Sequence, residues 1–204
     1  MIGRALVTWW DDWIQMVIVN LAWAILCLTV ILAPPATFGL YSVTHDLRRG
    51  QSRGLSGLLE GLRKYFWASW RWALLNLAVV SVLLVSYAFY SQIPATWSGG
   101  LAGLILVLGA VWLIVQFYAV PFYMEQEQQS LKLALRNGLF TALAAPGYTL
   151  VLTLAAALLV AASVALVGPL FLGGPCLLAL LGHSAVHERL IAFGKRPSED
   201  NPEA

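Results

Sequence analysis

Residues 13–33, WIQMVIVNLAWAILCLTVILA, run for 21 positions without a charged side chain. A helix crossing the ~30 Å hydrocarbon core of a bilayer needs about 20 such residues. The stretch is too long and wrongly flanked for a cleaved signal peptide, because acidic Asp11 and Asp12 precede it where a basic region belongs. It therefore predicts a helix in lipid. The rest of the chain has the same character. Of 204 residues, 60% are hydrophobic and 11% charged, against about 25% charged in a soluble domain. Mean hydropathy is +0.77. Twelve Lys/Arg and ten Asp/Glu are too few to cover a water-exposed surface of this size. Composition thus excludes a soluble domain, a disordered chain, a collagen and a disulfide scaffold. The net charge is +2, and no basic run with interleaved aromatics points to nucleic acid.

Four further apolar stretches follow, at about 67–91, 101–121, 147–168 and 173–190. The predicted fold class is all-α: a polytopic membrane bundle of about five transmembrane helices, with short interfacial helices on the cytoplasmic side. Prolines mark the ends. Pro34, Pro35, Pro94, Pro121 and Pro169 follow spans, while Pro146 and Pro175 fall in first turns. With none inside a span, straight helices are expected. Arg48, Arg49, Arg53, Arg63, Lys64, Arg71, Lys132, Arg136, Arg189, Lys195 and Arg196 fall on one side if there are five spans, and only Arg4 on the other. The positive-inside rule then places the N-terminus outside and the C-terminus in the cytoplasm. If residues 1–33 instead formed a hairpin or lay flat, the N-terminus would move inside. Trp9, Trp10, Trp13 and Trp97 would form an outer aromatic belt, and Trp67, Trp70 and Trp72 an inner one.

Between spans, residues 36–49 read as a short helix at the inner boundary or an extension of the first span past a kink. Residues 55–66 place Leu55, Leu58, Leu59 and Leu62 on one face, an interfacial amphipathic helix. Residues 131–144 behave similarly, with Ser130 as N-cap. Residues 1–193 make a single membrane domain and 194–204 a polar tail. Cys27 and Cys176 read as unbridged apolar core residues.

The block LNLAWAILCLTVILAPPATFGLYSVTHDLRRGQS resembles the YesL-like family of bacterial integral membrane proteins. Asn20, Leu21, Trp23, Pro35, Ala36, Thr37, Leu40, Tyr41, Arg49 and Gly50 stand at its Asn-Leu-x-Trp, Pro-Ala-Thr, Leu-Tyr and Arg-Gly positions. SLKLALRNGLFTALAAPGYTL is similar to the family's basic helix leading into its fourth span. The turn departs from the family's usual Gly-Pro pair by reading APPAT, and Gln51 stands where an acidic residue often follows. The resemblance implies a bacterial cell (inner) membrane location and companionship with carbohydrate uptake or sensing systems. It implies no catalytic residues.

The sharpest polar constellation is at the end of the last apolar stretch. His183 and His187, four apart, share a helix face, and Glu188 follows. His45 and Asp46 belong near the same boundary, as do Glu125 and Glu127. Two histidines and a carboxylate can bind a divalent metal, but Glu188 lies outside the pair, unlike a zincin HExxH. The alternative is a polar cluster that seats the bundle. Within spans, Asn20, Asn76 and Gln116 pair with neighbouring helices or line a solute path. Gly99/Gly103 and Ala157/Ala161/Ala165 are small-xxx-small patterns, which serve packing within the bundle or between chains.

The leading functional expectation is a non-enzymatic accessory or scaffold subunit without a cofactor. Its lipid-embedded bundle would meet a membrane-protein partner, or a second copy, through cytoplasmic Arg48, Arg49, Arg53, Arg63 and Lys64. The second is a transporter or channel component for a small neutral solute such as a sugar. The third is a metal-dependent membrane enzyme using His183, His187, Glu188 and His45.

Overall fold

The computed structural model describes residues 13–51, 53–166 and 173–194. Arg4, Trp9, Trp10, Pro169, Lys195, Arg196 and the end of the tail lie outside the described residues. Within them are eight helices: α1 (Trp13–Cys27), α2 (Ala33–Arg48), α3 (Gly54–Lys64), α4 (Phe66–Ser91), α5 (Thr96–Glu125), α6 (Leu131–Ala144), α7 (Pro146–Leu166) and α8 (Gly174–Ala192). No strand occurs among the described residues. The fold is an all-α bundle, and its apolar helices mark a membrane-embedded protein.

The expected crossing over 13–33 takes a different form. α1 stops at Cys27, residues 28–32 turn, and Pro34 and Pro35 sit in the first turn of α2. A first-turn proline lacks only an N–H that would be unpaired anyway, so the Pro-Pro pair starts a helix as readily as it ends one. Trp23 Nε1 donates to Thr37 Oγ1 (3.3 Å), and Met16 and Val19 pack with Leu40, Val43 and Leu47. These contacts make α1 and α2 an antiparallel hairpin. At 15 and 16 residues each, its arms are about 23 Å long. The turn exposes Leu28 and Val30, at 84% and 80% of their surface. The start of α1 lies beside the start of α3, where a Cβ on Gly54 would sit 3.3 Å from Gln15 Oε1.

α2 is the centre of the bundle rather than a boundary helix. It packs against α1, α3, α4, α5 and α8, and Ala36, Phe38, Leu40, Val43, Thr44 and Leu47 are buried on several of its faces. Its closest neighbour is α3, because two glycines meet. A Cβ on Gly61 would lie 2.9 Å from the Gly39 Cα, and one on Gly39 would lie 2.6 Å from the Leu58 carbonyl oxygen.

Among the described residues, three helices are long and apolar enough to cross a membrane: Phe66–Ser91, Trp97–Glu125 and Pro146–Ser163. Of the other two expected spans, the first is one arm of the hairpin. The fifth is α8, which is largely buried by protein and carries His183, His187, Glu188 and Arg189 in its second half. α5 continues through Pro121 to Glu125 instead of ending there. The proline ring leaves the Phe117 carbonyl without its helical donor. α8 packs closely there, since a Cβ on Gly182 would lie 3.0 Å from Pro121 and 3.4 Å from the Phe117 oxygen.

The described members of the two small-residue patterns face away from the bundle. Gly99 and Gly103 have open space beside them, and Ala157 and Ala161 are exposed. α7 instead turns Leu152, Ala156 and Ser163 inward. Among the described residues, Gly99, Gly103, Ala157 and Ala161 pack against no other helix. Cys27 and Cys176 are free thiols.

Candidate functional site

The last two turns of α2 place His45, Asp46 and Arg48 at its C-terminal end, where cations meet the negative pole of the helix dipole. Glu125 ends α5 and enters the same space with only 3% of its side chain exposed. Its Oε1 lies 3.5 Å from His45 Nε2 and 3.8 Å from Arg48 Nη2, and its Oε2 lies 3.6 Å from Arg49 Nη2. The other ring nitrogen of His45 is 3.6 Å from Asp46 Oδ1. Asp46 in turn lies 3.8 Å from Arg53, which also reaches Glu60 at 3.4 Å. One buried carboxylate thus ties α5 to the end of α2, and Asp46 carries the network on to α3.

His183 joins this knot from α8. It is fully buried, and its ring centroid lies 5.3 Å from that of His45. Its Nε2 is 2.9 Å from the Tyr41 carbonyl oxygen. A carbonyl only accepts, so Nε2 carries the hydrogen and donates.

The proposed metal set is divided by this arrangement. His183 faces α2, whereas Glu188 accepts from the Tyr148 hydroxyl of α7 at 3.1 Å, with Arg189 stacked 3.8 Å over the same ring. His45 pairs with Glu125 rather than joining Glu188. Among the described residues, no three His, Cys, Asp or Glu side chains are placed to hold one metal ion.

The amides divide likewise. Trp72 Nε1 donates to Gln116 Oε1 (2.8 Å), Asn76 Nδ2 donates to the Trp72 carbonyl (2.9 Å), and Trp112 Nε1 donates to Asn76 Oδ1 (3.1 Å). Asn76 and Gln116 therefore join α4 to α5. Asn20 is buried on α1, which packs among α2, α3 and α8.

The expected docking cations also separate. Arg48 is 16% exposed and faces Glu125; Arg49 and Arg53 are about half exposed. Arg63 and Lys64 lie on the open side of α3. The Tyr65 side chain, by hydrogen bonding, raises the Lys64 pKa above its ordinary value.

Beside the knot lies a polar cavity of about 340 Å³, walled by the end of α2, by α3 and by the segments after α3 and α5. Arg49, Arg53 and Lys64 line it, together with Asp46, Glu60 and Tyr65. Sequence reasoning placed His45, Asp46 and Glu125 near one boundary but missed Glu60, Tyr65 and Gln129. Their only sequence signal is polarity next to basic segments.

No curated protein matches the chain, and no solved structure does. One family model matches, over under half of the chain: residues 16–91, from early α1 through α4, are similar to the family described as a protein of unknown function, DUF624.

Proposed function

We propose that the chain is a non-enzymatic accessory or scaffold subunit of a membrane assembly. One observation carries this reading. α3 presents Arg63 and Lys64 beside exposed Leu55 and Leu59, and the Gly39–Gly61 contact fixes that face to the central helix. A rigid basic and apolar face at a membrane boundary suits a protein partner carrying acidic and apolar groups. The inward charges bind the helices to one another, which is a structural role. The carbohydrate-uptake companion role rests on the family resemblance, and a partner's identity would decide it.

The hairpin also bears on orientation. The start of α1, the end of α2, the end of α5 and the end of α8 gather at the end that holds the described Lys and Arg residues. By the positive-inside rule that end is cytoplasmic. The start of α1 then lies inside, as in the hairpin alternative, and the uncharged 92–95 turn faces out.

The test is gentle solubilisation of the full chain from native membranes, followed by mass spectrometry of what co-purifies. A stoichiometric partner, lost in Arg63→Glu/Lys64→Glu, supports the reading; a chain that emerges alone contradicts it. Deleting residues 36–64 would be uninformative, since α2 is the core of the bundle.

A further inference from the structure

We propose that the polar cavity beside the α2–α3 crossing binds a phosphate group on Arg49, Arg53 and Lys64, presented by a phospholipid headgroup or by a soluble phosphate. Three independent features point there.

The first is charge. Residues 46–64 hold Arg48, Arg49, Arg53, Arg63 and Lys64 against Asp46 and Glu60. Glu125, facing Arg48 and Arg49 from α5, leaves the region still in positive excess.

The second is geometry. The ion pairs around the cavity span 3.4 to 3.8 Å, whereas charge-assisted N–H···O bonds close to about 2.7–2.9 Å. Arg53 spreads its three nitrogens over Asp46, Glu60 and Gln51, all at 3.4 to 3.8 Å, long contacts that a closer anion can replace, and the planar forks of Arg49 and Arg53 suit phosphate oxygens. The Tyr65 hydroxyl adds a donor. Gln129 Nε2 donates to its oxygen at 3.2 Å, so the hydroxyl hydrogen is left to point elsewhere. The volume of about 340 Å³ exceeds by roughly tenfold the 30 Å³ share of one water, enough for a headgroup.

The third is position. Leu55, Leu59 and Trp67 are exposed around α3 and the start of α4. Such side chains sit at headgroup depth, so a phospholipid would bring its phosphate to the level of the cavity.

The test uses the purified full chain in detergent, by native mass spectrometry and thermal unfolding. The probes are phosphatidylglycerol, diacylglycerol as the phosphate-free control, and inorganic phosphate. The proposal predicts that phosphatidylglycerol is retained and diacylglycerol is not. Retention should fall about tenfold in Arg53→Gln/Lys64→Gln and hold in Lys132→Gln/Arg136→Gln, whose cations lie on α6. If inorganic phosphate instead raises the melting temperature of the wild type but not of Arg53→Gln/Lys64→Gln, while the two lipids behave alike, the same site takes a soluble phosphate. Should the double variant aggregate, Lys64→Gln alone provides the comparison, because Lys64 is exposed. Binding of neither probe, or equal loss in both double variants, overturns the proposal.

Discussion

Glu125 ties two helices together through one buried carboxylate. It reaches His45, Arg48 and Arg49 from a position with 3% exposure. Removing one partner of a buried ion pair leaves the others unsatisfied, which costs more than the pair itself contributes. Glu125→Ala should therefore lose about 3 kcal/mol of stability, with Glu125→Gln between it and the wild type. Unfolding in detergent, followed by tryptophan fluorescence, measures this. A smaller effect belongs to Gln116→Leu, which strands the Trp72 indole and should cost about 1 kcal/mol in the same measurement. At this scale much was legible: His45, Asp46 and Glu125 could be assigned to one boundary from their places beside apolar runs. Which of His183 and His187 turns toward α2 was not legible. The two are equivalent in a helical repeat, and only the packing of α8 against α2, α5 and its other neighbours sets its rotation.

At the scale of elements, the α2–α3 crossing depends on two glycines. Gly39→Ala would drive a Cβ to 2.6 Å from a backbone oxygen, and Gly61→Ala would put one 2.9 Å from a backbone carbon. Backbone cannot yield as a flexible side chain does, so each should cost about 1–3 kcal/mol. Gly103→Ala on α5, with open space beside it, should be neutral or slightly stabilising. Comparing the melting temperatures of the three variants checks this contrast. The crossing also shows why residues 36–49 read either as a boundary helix or as an extension of the first span, and not as the core. ATFGLYSVTHDLRR mixes apolar, small and polar residues at spacings that suit an amphipathic helix equally well. Only the neighbours on several sides make it a core helix, and those come from distant parts of the chain. Ser130 was legible for the opposite reason. An N-cap is a local device, and its Oγ accepts from the Leu133 N–H.

For the whole molecule, the scarcity of charge and the long continuous apolar runs established an all-α membrane bundle, because a run of about 20 apolar residues satisfies its backbone in lipid as a helix. The path of the chain at its start was not legible. An uncharged run of 21 residues has the length of a span, and the Pro-Pro pair fits either a helix end or a helix start. The hairpin gathers the described basic residues, both ends of the described chain and the candidate phosphate cavity at one end. The proposal that the basic α3 face meets a partner depends on that end being cytoplasmic.

The most direct test of this account is cysteine accessibility in a Cys27→Ala/Cys176→Ala background, using a membrane-impermeant maleimide on intact cells and then on permeabilised ones. Trp13→Cys and Gln51→Cys should react only after permeabilisation, and Ala95→Cys in intact cells. Labelling of Trp13→Cys in intact cells while Gln51→Cys stays protected would mean that the chain crosses the membrane between those positions, and would contradict the account.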